Sequence, residues 1–212
     1  MKLALLNPQT PLVLLYGLLA LALAAALVLV LKPALTRSRD GKIFAFGALF
    51  LLPLLAFGFG GSQQLTRSEQ TRFCLACHTM APWGKSLYIA DEHHIPAVHF
   101  QNHLVPPDAA CYTCHTDYGQ FGTLDAKMQG LHHVWVEYFG TPMNPIHLYQ
   151  PFKNQTCLHC HAGARSFEDD PTHSAMMSLL VSGQLSCVSS GCHDMVHDVS
   201  QLSQQKFWSP KP

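Results

Sequence analysis

Cys74-Leu75-Ala76-Cys77-His78-Thr79-Met80 holds two cysteines separated by two residues, a histidine directly after the second, and a methionine two positions further on. The same spacing returns at Cys111-Tyr112-Thr113-Cys114-His115 and at Cys157-Leu158-His159-Cys160-His161. A fourth copy, Cys187 to Cys192 followed by His193, is expanded, with four residues between the cysteines. All eight cysteines of the 212-residue chain fall in these four motifs. A disulfide framework or a zinc site would also use cysteines. Neither accounts for a histidine after every pair.

Covalent heme does account for it. Two thiols must reach the two vinyl groups of one porphyrin while the next residue's imidazole swings beneath the iron. A longer loop between the cysteines still permits this, because the extra residues bulge outward. The motifs therefore predict four covalently bound c-type hemes. Their attachment points are Cys74 and Cys77, Cys111 and Cys114, Cys157 and Cys160, and Cys187 and Cys192. Heme of this kind is attached outside the cytoplasm, which puts the cysteine-bearing part there.

Upstream of the first motif, Leu12 to Leu31 is uncharged and almost wholly apolar, long enough to span a bilayer as a helix. A signal peptide would have a shorter apolar region and a small-residue cleavage site, and no clean site follows. A second apolar run covers Ile43 to Gly60. Gly47, Pro53 and Gly58 interrupt it, as membrane helices tolerate. Between the runs stand Lys32, Arg37, Arg39 and Lys42 against Asp40. Short loops rich in Lys and Arg stay cytoplasmic, so everything after residue 60 is expected outside. Lys2, near an external N-terminus, runs against this. Heme chemistry and loop charge agree on a bacterial inner (cytoplasmic) membrane protein with its heme domain on the periplasmic side. The charged fraction of 12% is about half the ≈ 25% of soluble chains. Zero formal net charge leaves no basic surface for nucleic acid.

Thr66-Arg67-Ser68-Glu69 has the spacing of a capping box and predicts a short helix running into Cys74. The first heme then lies about fourteen residues past the second span, close to the membrane surface. Pro96, Pro106 and Pro107 argue against one continuous helix between the first two motifs. Leu124, Met128, Leu131, Trp135 and Tyr138 follow a helical period over 124–139, with Gly140 and Pro142 as the stop. Thr172 to Leu180 reads as a short helix, and Ser200 to Pro212 as a polar surface strap carrying Trp208. The expected fold is mainly α. Residues 1–62 form a two-helix membrane anchor, 63–200 a compact, loop-rich tetraheme domain, and 201–212 a polar tail. About 35 residues per heme are too few for an ordinary core around each, so the hemes themselves must form the core.

Four irons present eight axial positions. The motifs make His115, His161 and His193 proximal ligands. His78 follows by the same logic, with Met80 in competition. Ten histidines remain for the other faces: His93, His94, His99, His103, His132, His133, His147, His159, His173 and His197. Bis-histidine ligation belongs to low potentials, whereas a methionine ligand raises the potential.

The chain resembles the NapC/NirT family of membrane-anchored tetraheme quinol dehydrogenases over roughly residues 43–197. The likeness rests on an apolar helix before the first motif, Cys-x-x-Cys-His-x-Met at 74–80, and His99-Phe100-Gln101-Asn102 ahead of the second motif. Lys127, His173 and His197 complete it. The resemblance implies that Met80 or His78 holds the first iron and that quinol binds beside it. It implies His99, His173 and His197 as distal ligands, and Lys127 as a residue that helps bind or deprotonate quinol. The family places a carboxylate about six residues after this lysine. Here that position is His133, with His132 beside it. His133 either takes the proton in place of the carboxylate or binds the first iron and closes the site. Two apolar helices instead of one and the expanded fourth motif depart from the family pattern.

Together these features imply oxidation of menaquinol or ubiquinol from the membrane pool at the first heme. Electrons would pass through the other three to a periplasmic or membrane-bound redox partner, with the terminal reductase on another chain. The alternative is a subunit of a larger respiratory or photosynthetic complex that carries electrons without touching quinone. A gas sensor and a terminal reductase rank behind both, since no signalling domain and no Cys-x-x-Cys-Lys motif is present.

Overall fold

The computed structural model describes residues 10–194 and 196–210. Helices carry the described chain; among the described residues no strand forms, and Ile89 and Phe207 make an isolated antiparallel bridge. The fold is mainly α, in two compact units, Met1–Ser68 and Glu69–Pro212.

The first unit is built from apolar helices. Helix α1 (Thr10–Leu31) has no charged residue and no polar face. Its side chains point outward on all sides, as a helix surrounded by hydrocarbon requires. A tight turn, Pro33–Arg37, leads to α2 (Arg39–Phe46), where the Ser38 hydroxyl accepts from the Gly41 N–H at 3.1 Å. A side chain at Gly41 would run into the Leu35 carbonyl, so this close turn needs glycine. One wide turn, Gly47–Leu51, with i to i+5 bonding, joins α2 to α3 (Leu52–Arg67). Such a turn absorbs the missing donor and the ring of Pro53 without ending the helix. Ala25 and Leu29 of α1 pack on Ala48, where small side chains let the backbones approach.

The second apolar helix is longer than its apolar run, continuing from Arg39 to Arg67. Both helices are long and apolar enough to cross a membrane. Thr66-Arg67-Ser68-Glu69 is not a capping box. The Thr66 hydroxyl bonds back to the Ser62 carbonyl at 3.2 Å inside α3, and Ser68 closes that helix through the Gln64 carbonyl at 2.9 Å. Four residues with capping spacing cannot start a helix where one is already running, because their hydroxyls find the carbonyl a turn earlier.

The second unit strings short helices between its loops. They are α4 (Thr71–Cys74), α5 (Ala81–Ser86), α6 (Ile95–Gln101), α7 (Ala110–His115), α8 (Gly122–Phe139), α9 (Asn154–His161), α10 (Arg165–Glu168) and α11 (Pro171–Ser182). Apolar packing is sparse. Leu158, Phe167 and Leu180 form a cluster supported by Met176 and Met177. Helix α11 is bounded by local chemistry. The Asp170 carboxylate accepts from the Thr172 and His173 N–H groups at 2.8 and 3.1 Å, and Gly183 ends the helix with φ 73°. The tail crosses Tyr88–Ala90: Ala90 donates to the Lys206 carbonyl at 2.8 Å, and Trp208 donates to the Tyr88 carbonyl at 2.7 Å.

Candidate heme-binding site

Each short helix ends where its chemistry is needed. Helix α7 is the second motif and α9 carries the third, so one helical turn presents both thiols and the histidine of each. Across from each of the last three motif histidines stands a second imidazole. His115 and His197 have ring centres 6.3 Å apart with planes at 18°. His161 and His99 are 6.0 Å apart at 70°, and His193 and His173 are 6.1 Å apart at 33°.

That spacing is a test of fit for an iron. Imidazole nitrogens bind metals at about 2.0–2.1 Å, and about 1.2 Å more reaches each ring centre, so two rings on one metal stand about 6.4 Å apart. All three pairs meet this figure. Hydrogen bonds also set which nitrogen is free. Nδ1 of His99 bonds the Ile95 carbonyl at 2.8 Å, and Nδ1 of His197 bonds the Ser86 hydroxyl at 2.7 Å. Both leave Nε2 without a competing partner, the arrangement by which outer residues orient metal-binding histidines. Ser86 itself is fully buried, and its hydroxyl donates to the Trp83 carbonyl at 2.6 Å. His173 keeps a buried Nδ1 with no bond, 3.8 Å from the Asp170 carboxylate.

Crowding lowers three of these rings, His115, His161 and His197. Burial, then the charges of His115 and His94, lowers His197 to about 4. Burial and then His133 lower His115, whose ring is exposed on one side yet deep among protein atoms, as for a group lining a cleft. Burial first, and then His99, His193 and His173, lower His161. A neutral imidazole is the form that binds metal.

The thiols are gathered in turn. Cys74 and Cys111 lie close enough that each perturbs the other's proton: Cys74 falls to about 7, chiefly through Cys111, and Cys111 rises. Thr71 holds the two motifs together, donating its N–H to the Asp108 carbonyl at 2.6 Å and accepting from Ala110 at 2.9 Å. Cys157 and Cys187 are coupled likewise, with Cys157 pushed up to about 12 by burial and then by Cys187. Buried Asn154 joins the third motif to the fourth. Its amide donates to Leu180 and Leu185 carbonyls at 2.9 and 2.6 Å and its oxygen accepts from Cys187 at 2.8 Å. Thr156 donates to the Thr116 carbonyl at 3.0 Å, linking the second motif to the third. None of the eight cysteines, Cys77, Cys114, Cys160 and Cys192 included, is taken up in a disulfide. Among the described residues no three His, Cys, Asp or Glu side chains converge as a zinc site requires.

The first motif differs. His78 and Met80 share a single tight turn, with His78 exposed and Met80 half-buried. Among the described residues no histidine ring faces His78 as one faces the other three. Lys127 of α8 instead lies beside the motif: Nζ sits 4.2 Å over the Tyr112 ring, and its charge reaches Cys74. His132 and His133 both pack on Tyr149, with ring centres at 4.4 and 4.5 Å. Burial and then the neighbouring His132 lower His133. His159 stacks flat on Tyr118 at 3.7 Å.

Ser86, Asn154, Thr71 and Tyr149 carry no motif and no periodicity, so sequence reading passes over them. The one available signal was a polar residue inside a short, otherwise apolar or motif-bearing segment.

Paired imidazoles, free thiols at the attachment spacing and apolar anchoring helices define a class: a membrane-anchored c-type cytochrome. The chain belongs to the NapC/NirT cytochrome c family, whose N-terminal-region model matches residues 39–204. Covalent c-type heme and electron transfer to redox partners come with that membership. No curated protein and no solved structure gives a significant match.

Proposed function

We propose that this chain oxidises membrane quinol beside its first heme and delivers electrons through three further hemes to a periplasmic redox partner. Cys74 and Cys77, Cys111 and Cys114, Cys157 and Cys160, and Cys187 and Cys192 hold four hemes. His115 with His197, His161 with His99, and His193 with His173 are the residues that would hold three of the irons. The observation that carries the reading is the contrast at the first motif: among the described residues no imidazole faces His78, and the Lys127 charge reaches Cys74.

Quinol oxidation releases two electrons and two protons. When bound, the hemes supply one-electron acceptors. The chain must bind the quinol, remove its protons and hold the ligands rigid. The Lys127 ammonium, steadied over the Tyr112 face, stabilises negative charge that develops on a quinol oxygen. His133, already neutral near pH 7 because burial lowers it, takes a proton, and His132 on the same Tyr149 offers a second site. General-base help of this kind is worth about 10²–10⁴-fold. The proton-acceptor role of His133 is favoured over iron ligation, since its ring lies on Tyr149 and its charge bears on His115 of the second motif. Released protons leave on the periplasmic side of the inner membrane. An electron-transfer subunit blind to quinone would have no use for Lys127 beside the first motif.

Electron paramagnetic resonance of the oxidised, heme-loaded protein tests this. Three low-spin signals and one high-spin or quinol-analogue-sensitive signal are expected. Four low-spin signals indifferent to the analogue would remove the dehydrogenase reading.

A further inference from the structure

Helix α8 is turned inside out. At about 100° per residue, Leu124, Met128, Leu131, Trp135, Tyr138 and Phe139 fall on one face within an arc of about 100°. These six large apolar side chains are between 57% and 77% exposed. The opposite side, with Ala126, Gln129, His133, Val136 and Glu137, is half-buried. A helix at the surface of a water-soluble domain would show the reverse distribution. The face also holds no charged residue: Asp125, Lys127 and Glu137 all lie outside the arc.

The contacts toward the heme motifs do not use this face. Lys127 reaches Tyr112, His133 reaches Tyr149, and Gln129 bonds Gln150 at 3.2 Å, all from outside the arc. A continuous apolar strip of this kind on a soluble surface would be an interaction site by size alone. Its composition points to one occupant. Trp and Tyr favour the level of lipid headgroups, and Leu, Met and Phe the acyl boundary beneath. The chain already belongs to the membrane, since the apolar helix α3 runs to Arg67 and the heme-bearing unit begins at Glu69 with no linker between.

We propose that α8 is a monotopic membrane helix, seated in the headgroup–acyl boundary of the phospholipid bilayer through Leu124, Met128, Leu131, Trp135, Tyr138 and Phe139. Helix α8 then touches lipid without crossing it. This does not depend on quinol being the substrate. It does give Lys127, at the edge of the arc, a depth close to the lipid phase, with His133 on the far side of the helix.

The full-length, heme-loaded protein in phosphatidylcholine–phosphatidylglycerol nanodiscs tests the proposal. Nitroxides at Leu131→Cys and Tyr138→Cys are read with hemes reduced, against a control at the exposed Thr123→Cys. Oxygen broadening should exceed nickel-chelate broadening at 131 and 138, with the order reversed at 123. Equal access of the nickel chelate at all three sites means open water and overturns the proposal. Exclusion of both reagents at 131 and 138 means that heme or a second protein copy covers the face, and overturns it as well. If the cysteine variants fail to mature, the unaltered protein in nanodiscs carrying an acyl-chain diazirine lipid gives an independent reading. Lipid adducts should map to residues 124–139; adducts confined to α1 and α3 would refute it.

Discussion

Three motif histidines face another imidazole across 6.0–6.3 Å, and among the described residues the first motif's histidine does not. The four motifs are nearly the same locally, yet their surroundings separate them into a set of three and a set of one. In the three, Nδ1 of His99 and of His197 is hydrogen-bonded and Nδ1 of His173 is enclosed, and burial lowers His115, His161 and His197. At the first motif His78 has no facing ring among the described residues, Met80 is half-buried, and the Lys127 charge reaches Cys74. The facing ring, present in three motifs and missing from the first, separates them.

Replacing a facing histidine should have the largest effect. His197→Ala is expected to remove one low-spin signal entirely from the oxidised spectrum and to leave the first heme unchanged. Loss of no signal would dissolve the His115–His197 pair and with it the set of three.

Changing Lys127 addresses the other side of the contrast. Lys127→Leu should slow quinol oxidation about 100-fold while all heme spectra stay as they are. His133→Ala should also slow it without spectral change. A shifted first-heme spectrum in His133→Ala would instead mean that this ring is an iron ligand and the site is closed. Met80→Ala sharpens the same point, since only the first heme's spectrum should respond.

Smaller effects test the scaffold. Asn154→Ala removes the partner of the Leu185 carbonyl and of the Cys187 N–H, while the Leu180 carbonyl keeps the Gly183 N–H; each such unpaired group costs about 1–3 kcal/mol. The variant should unfold at clearly lower denaturant, with the fourth heme's spectrum the first to broaden. Least of all is the ion pair of Lys153 with Asp117, whose hydrogen bond holds the carboxyl below its usual range. Because the folded-state value is depressed, its contribution is fully present above the ordinary carboxylate value and is lost as pH falls from there through the depressed folded-state value. Lys153→Gln should cost under about 1 kcal/mol near neutral pH, and nothing in strong acid.

Much of the molecule was legible from local pattern. The apolar runs showed as helices because lipid-crossing helices need length and apolarity alone. Helix α8 ended where Gly140 and Pro142 predicted, since caps act within a turn. The misreading at Thr66–Glu69 has the same root: a local signal holds only if nothing longer overrides it. Here α3 continued seven residues past Gly60, and its hydroxyls turned inward. The partners at the site were not legible in that way. Tyr112 beneath Lys127, Tyr149 under two histidines, and Ser86 behind His197 lie far from one another in sequence and follow no repeat.

By itself the sequence determined the number and spacing of the cysteine–histidine motifs, the apolar helices and the helix-bearing segments, because each depends on neighbours within a turn or two. Only the tertiary structure decided which imidazole faces which, that no ring faces His78 among the described residues, and that α8 shows its apolar side to the outside. Those facts depend on contacts between residues up to 82 positions apart, His115 and His197. Local chemistry holds no record of such pairs until the chain has closed.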